Sequence, residues 1–269
     1  MQVIGLCRFS YPALGGFQVE HDSIEDRIAY LYDPARMEER FRHFETMMLP
    51  GLKAQTDGDF TFVVVVGDTL PIVWFDRLMA LLEDFPQARI QVHPPGPHRD
   101  VMKNAINEAR GDLSTPCLQF RHDDDDSVAV TYVERLRAAA ADCAGLVAAN
   151  RLVAIDFNRG FVARPGPEGI YAAPAFTPFW GVALALAVKP GVQQTIMNFA
   201  HNKLNRHMPT VSFTDDDMYV RGHNDYNDSR QSDRAKPVPM QLLDRAGEAM
   251  FKEKFAIDAA QVRTVFSAT

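Results

Sequence analysis

Residues 119–128 read QFRHDDDDSV, four aspartates in a row directly after an apolar stretch. Two like unit charges about 5 Å apart repel by roughly 3 kcal/mol at an effective dielectric of 20, so the cluster needs solvent, protons or a cation. If extended backbone continues to Asp125, the period of two puts Asp123 and Asp125 on one face and Asp124 on the other. Alternate carboxylates can then share one ion. A small set of hard oxygen ligands suits Mg²⁺ or Mn²⁺, which keep positions open for water and substrate phosphates. An EF-hand calcium loop does not fit, because the run lacks the Gly and the distal Glu of that loop. A solvated acidic loop is the plain alternative.

The surrounding pattern says what positions these carboxylates. Five short hydrophobic runs read as strands: 3–7, 60–66, 89–92, 116–120 and 145–149. Between them, Met37, Phe41, Phe44 and Met48, and then Trp74, Leu78, Leu81 and Leu82, recur at helical spacing, and a third helix should run from Arg99 to Arg110 and stop at Gly111. Alternating strands and helices predict a mixed, mostly parallel α/β sheet with helices on both faces. Ligands of such sheets bind beyond the carboxyl ends of the strands, where the aspartates fall. Thr131 and Glu134 in TYVE form a capping-box pattern that starts a helix at Tyr132. After residue 150 the pattern changes: residues 151–166 read as a hairpin turning at Asn158 to Gly160, followed by an apolar run at 182–188 and a helix over about 192–202. Two helical patterns close the chain, with Asp258 a candidate N-cap.

Composition narrows the class. The chain has 269 residues, 46% of them hydrophobic, enough for one large core. Its 28 Lys and Arg against 35 Asp and Glu give a net charge of -7, which offers no footprint for nucleic acid. The apolar start lacks a basic n-region, which predicts a first strand and not a signal peptide. No apolar run approaches the ~20 residues of a membrane span. Cys7, Cys117 and Cys143 are scattered in apolar settings and read as reduced core thiols. The expectation is a cytoplasmic protein, compatible with peripheral membrane association.

The segment NAINEARGDLSTPCLQFRHDDDDSVAVTYVERL, residues 104–136, resembles the part of GT-A glycosyltransferases in which a helix with Asn, Ala and Gly leads into a strand, a D-x-D-D motif and another helix. Asp123, Asp125 and Asp126 supply the motif, although the lead-in spacing is looser than the family's ideal. With GLCRFSYPALGGF, LPGLKAQTDGDFTFVVVVGDTLP and YVRGHNDYNDSR, the chain resembles the bacterial putative rhamnosyltransferase family from residue 1 to about 230.

That resemblance implies a GT-A-like domain over 1–235, with a nucleotide-binding half over about 1–126 and an acceptor half over about 127–235, and a C-terminal helical extension at 236–269. It implies a metal-dependent, inverting transfer of a sugar, rhamnose by the family's name, from a nucleotide-diphosphate donor to a glycan or small-molecule acceptor in polysaccharide biosynthesis. Mn or Mg would be held by Asp123, Asp125 and His223, with Asp126 orienting ligands or touching the donor sugar. Asn224 would fix the loop or touch a phosphate. Arg8 would pair with phosphate, Phe9 or Tyr11 would stack on the base, and Asp68 would contact base or ribose. An acceptor hydroxyl needs a base, for which Asp217 (over Asp215 and Asp216) and His201 are the candidates. Arg121 reads as a charge offset for the aspartates, Trp180 as a sugar platform and Trp74 as core, while His98 carries no motif. Two rival readings are a glycoside hydrolase with paired carboxylates and a non-catalytic calcium or carbohydrate-binding module.

Overall fold

The computed structural model describes residues 1–15, 21–182, 184–223 and 238–268. Strand β1 (Gln2–Arg8) leads into helices α1 (Ile24–Leu31) and α2 (Pro34–His43), a π-helical turn (Phe44–Met48) and α3 (Leu49–Lys53). The π turn has a local cause. Pro50 has no N–H to give the carbonyl four residues back, and the widened turn, closed by the Leu49 N–H on the Phe44 carbonyl, absorbs that break. Then come β2 (Thr61–Gly67), α4 (Ile72–Leu82), β3 (Ala88–His93), α5 (His98–Arg110), β4 (Cys117–His122), β5 (Ser127–Val128), α6 (Tyr132–Asp142) and α7 (Ala144–Ala149). The later part holds β6 (Leu152–Phe157), β7 (Arg159–Gly166), β8 (Gly169–Phe176), β9 (Leu184–Val188), two 3₁₀ turns (Ile196–Asn198 and His201–Arg206), β10 (Thr210–Phe213), β11 (Tyr219–Gly222), β12 (Gln241–Leu242), α8 (Arg245–Phe255) and α9 (Ala259–Ser267).

The main sheet has seven strands in the order β10-β6-β9-β4-β1-β2-β3. Strands β3, β2, β1 and β4 run parallel, as do β6 and β10, and β9 is antiparallel to both its neighbours. The mixed, mostly parallel α/β sheet is thus as expected. Strands β1, β2, β4 and β9 are buried along nearly their whole length because helices cover both faces. Val63 and Val65 pack with Ile4, Leu6 and Met102 on one side, while Phe62, Val64 and Val66 pack with Val3, Phe41 and Phe120 on the other. Gly5 lies where the Phe62 and Phe120 rings close over β1, and a Cβ there would sit 2.3 Å from Phe120. A smaller sheet, ordered β12-β8-β7-β11-β5, is built on the β7–β8 hairpin. The C-terminal residues join this body: β12 pairs with β8, and Phe251, Phe255 and Val262 are fully buried.

Several local expectations are corrected. Residues 145–149 form helix α7, consistent with the high helix propensity of alanine and leucine. No hairpin turns at Asn158: β6 stays in the main sheet and β7 crosses into the second, where it turns back only at Gly166 to Gly169. The expected helix over 192–202 is replaced by the two 3₁₀ turns. Helix α6 starts at Tyr132 without a side-chain cap from Thr131, and Glu134 accepts from the Thr56 hydroxyl at 2.8 Å instead. Asp258 does cap α9, accepting from the Ala260 N–H at 2.8 Å. The cysteines are free, with Cys7 and Cys117 buried. Among the described residues no helix is long and apolar enough to cross a membrane.

Candidate functional site

Strand β4 ends at His122, and the aspartates form a turn closed by the Asp126 N–H on the Asp123 carbonyl at 3.3 Å. The extended run through Asp125 is therefore not formed, and the carboxylates diverge. Asp124 turns into the protein, where Arg40 of α2 meets it through Nε at 2.9 Å and again through Nη2. Arg40 Nη1 also lies 3.9 Å from Asp125, which is 5% exposed. Asp126 accepts from the Gly222 N–H of β11 at 3.0 Å. That contact requires glycine: a Cβ at 222 would stand 2.1 Å from the Asp125 carbonyl oxygen. Only Asp123 keeps an exposed side chain, at 53%.

Asp123 faces a cavity of about 230 Å³ at the carboxyl ends of β1 and β4. Arg8 closes β1, Arg121 lies one residue before the end of β4, His98 and Arg99 open α5, and Met197, Phe199 and Ala200 supply the far wall. The field of these guanidiniums shows in the titrating groups. Confinement at the cleft floor raises the Asp123 carboxyl, but Arg121 (3.7 Å away), Arg8, Arg221 and Arg40 outweigh it and bring it to about 2. Asp126 moves the other way, well above the carboxylate range, because burial and then the neighbouring Asp125 penalise its charge. Burial, then Arg8, Arg121 and Arg99, hold His98 neutral, down to about 3. The cavity is therefore built for an anion: fixed cations, the positive end of a helix and one ionised carboxylate.

The other expected residues are distributed unevenly. Arg8 lines the cavity. Phe9 does not: it is fully buried, edge-on to Phe41 and Phe44 at 4.9 Å, and so is a packing residue instead of a base platform. Tyr11 is also buried, its hydroxyl donating to the Pro94 carbonyl at 2.7 Å. Asp68 is exposed in the turn after β2 and does not line the cavity. Asp217 is 3.4 Å from Arg159 beside a separate depression of the second sheet, shared with Phe161 and Phe176, which removes it from the aspartate turn. His201 directly follows the cavity residue Ala200, and its Nδ1 is 2.6 Å from the Phe179 carbonyl. Burial lowers its pKa, with Arg121 and Arg221 lowering it further. The Arg221 guanidinium lies over one face of the Trp180 ring, 4.9 Å from its centroid. His223 follows Gly222, its N–H on the Ala163 carbonyl at 2.8 Å. Asn224 lies outside the described residues. Trp74 stacks on Phe41 in the core.

Sequence reasoning missed His98 and Arg99 as cavity residues, undervalued Arg121, and passed over Arg40 and Asp156. The signal for Arg40 was a basic residue on the apolar side of an amphipathic helix, and for Asp156 a lone acid inside an apolar strand. As to a metal, Asp123 offers hard carboxylate oxygens at the cavity and Asp125 stands two residues on in the same turn, oxygen donors of the kind that suits Mg²⁺ or Mn²⁺. They do not fit the three-residue set expected with His223: among the described residues no three His, Cys, Asp or Glu side chains form a metal-holding group.

The fold thus sets an anion cavity at the carboxyl ends of strands one and four of a mixed, mostly parallel α/β sheet, the place where ligands of such sheets bind. The chain belongs to the family described as "Putative rhamnosyl transferase", whose model matches residues 2–236. Its similarity to solved structures is distant. S. aureus TarS 1-349 superposes with a TM-score of 0.44 at 10% identity, covering 82% of this chain and 60% of that one. The same protein in complex with UDP-GlcNAc gives 0.44 at 11%, covering 84% and 60%, and in complex with UDP 0.45 at 10%, covering 83% and 61%. The chain thus spans about 60% of the length of these TarS structures. No curated protein matches it.

Proposed function

We propose that the protein moves a sugar, rhamnose by its family's description, from a nucleoside-diphosphate donor to an acceptor hydroxyl, inverting the anomeric centre. One observation carries this reading: Arg8, Arg99, Arg121 and Asp123 surround a single cavity at the carboxyl ends of β1 and β4. In it the donor's diphosphate meets guanidiniums that suit phosphate oxygens in pairs. Residues 1–126 supply this donor side, residues 127–235 the acceptor side, and residues 236–269 an extension. Asp123 and Asp125 would hold Mn²⁺ or Mg²⁺, which when bound neutralises charge on the leaving diphosphate. The fixed arginines act on the same charge as the bond to the sugar breaks.

His201 is the base of this reading in place of Asp217. An imidazole whose Nδ1–H donates to a carbonyl leaves the Nε2 lone pair to accept a proton. Asp217 pairs with Arg159 and lines a different depression, whereas His201 adjoins Ala200 of the cavity wall. The hydrolase alternative is weaker on the same grounds. Glycoside hydrolysis needs two carboxyls facing one substrate, and of the four aspartates in the run only Asp123 lines the cavity. The acceptor is a glycan or small molecule of polysaccharide biosynthesis, met in the cytoplasm at or near a membrane surface.

The test is a panel of nucleotide sugars in thermal-shift assays with and without Mn²⁺, because a ligand of the folded state stabilises it by mass action. The expected result is a shift with one nucleotide series that grows with metal and is lost in Asp125→Asn. A panel with no shift in either condition overturns the reading.

A further inference from the structure

Asp156, near the end of β6, is 1% exposed and has no ion-pair partner among the described residues. A buried carboxylate without a cation is costly, so its hydrogen bonds matter. One oxygen accepts from the Ser212 hydroxyl at 3.0 Å and the other from the Phe179 N–H at 3.2 Å. Phe179 is itself unusual: its φ of 57° lies in the left-handed region, which a bulky side chain adopts only where its surroundings hold it there. The backbone it presents is used at once. Its carbonyl accepts from His201 Nδ1 at 2.6 Å, and the next carbonyl, of Trp180, accepts from Arg221 at 3.2 Å. Gly181, with φ of 97°, then continues the backbone in a conformation that L side chains rarely adopt, with the His201 ring alongside. Two consecutive carbonyls thus point at two polar side chains beside the cavity, and Asp156 is the group that fastens the first of them.

We propose that Asp156 is a positioning residue for the transfer: through the strained Phe179 peptide it fixes the tautomer and orientation of His201. This deepens the reading of His201 as base and rests on it. In that step the acceptor O–H proton passes to His201 Nε2 as the acceptor oxygen bonds to the anomeric carbon. The bond from that carbon to the phosphate oxygen breaks, and its electron pair leaves with the nucleoside diphosphate. A ring free to flip would present Nε2–H, the commoner tautomer of an unconstrained imidazole, and could not take the proton.

The experiment is ¹⁵N spectroscopy of the full chain labelled at histidine ring nitrogens, with His201→Gln assigning the signal. The wild-type protein is expected to show His201 with Nδ1 protonated and Nε2 bare at neutral pH. In Asp156→Ala the signal should move to a mixture dominated by Nε2–H. Arg121, Arg221 and Asp123, the charged groups acting on this ring, are unchanged in that variant and do not cause the move. Asp156→Asn, whose amide oxygen still accepts from Phe179, should keep the wild-type signal. Ser212→Ala, which removes one of the two donors and leaves the core otherwise intact, should give a smaller shift in the same direction, and serves if Asp156→Ala does not fold. Unmoved His201 signals in Ser212→Ala and in a folded Asp156→Ala overturn the positioning role. Turnover separates the two ideas: full sugar transfer by His201→Gln sinks the base assignment, whatever the spectra show.

Discussion

The chain carries two acidic runs of nearly the same composition, Asp123–Asp126 after β4 and Asp215–Asp217 before β11, and the fold treats them in opposite ways. In the second run each carboxylate has its own cation from a different element: Arg135 of α6 at 3.2 Å for Asp215, Lys254 of α8 for Asp216 and Arg159 of β7 for Asp217. These are solvent-exposed pairs, each worth about 0–1 kcal/mol, and they latch helices and sheet together. In the first run three of the four side chains are buried, Asp124 is held by Arg40, Asp126 is held by a backbone N–H, and Asp123 is left to face a cavity ringed with arginine. Like residues do unlike work because burial and the arrangement of cations, not the count of acids, set the charge each carries.

The sharpest way to break this contrast is Arg40→Ala. It strands Asp124 as an uncompensated buried charge, and urea unfolding should show a loss of about 3–5 kcal/mol. The same truncation at Arg135 should cost under about 1 kcal/mol. Next comes Asp125→Asn, which should weaken Mn²⁺-dependent binding of the preferred nucleoside diphosphate by about a hundredfold or more in calorimetry while the protein stays folded. Removing one guanidinium by Arg121→Ala should cost roughly ten- to a hundredfold in donor affinity and flatten its dependence on salt, as expected of a charged phosphate contact.

A subtler test uses pH. The Asp126 carboxyl is raised in the folded state, so its contribution to stability is fully present below the unfolded value near 3.9 and is lost as pH rises through the folded one. Asp126→Asn, which can still accept from the Gly222 N–H, should therefore raise the melting temperature of the ligand-free protein at pH 8 and leave it nearly unchanged at pH 4. An equal shift at both pH values would refute that account. The smallest effect is expected at Asp217→Asn, within about threefold in turnover, because only a surface pair is lost. A hundredfold drop there would return the base to the second acidic run and erase the contrast.

Much of the parallel half of the main sheet was legible in the sequence because its signals are local. Alternating strands and helices, the stop at Gly111 and an acidic run after an apolar strand fix the parallel sheet and the place of the cleft. The details failed where long-range contacts decide. That Asp124 would turn inward depends on Arg40, 84 residues away in sequence, and that Asp126 would be buried depends on Gly222, 96 away. Phe9 looked available for stacking only because nothing local shows that Phe41 and Phe44 enclose it. The strand change at Asn158 was read as a hairpin because turn residues mark a break in direction without saying which sheet receives the next strand.

Gly222 has a consequence of its own. With a carbonyl oxygen of the aspartate turn pressed against its α-carbon, there is no clearance between the smaller sheet and that turn. A single methyl group at that point would act as a wedge, prising the two apart and disturbing both ends of the cleft at once. The smaller sheet and the aspartate loop are therefore mechanically geared: neither can shift far without dragging the other along.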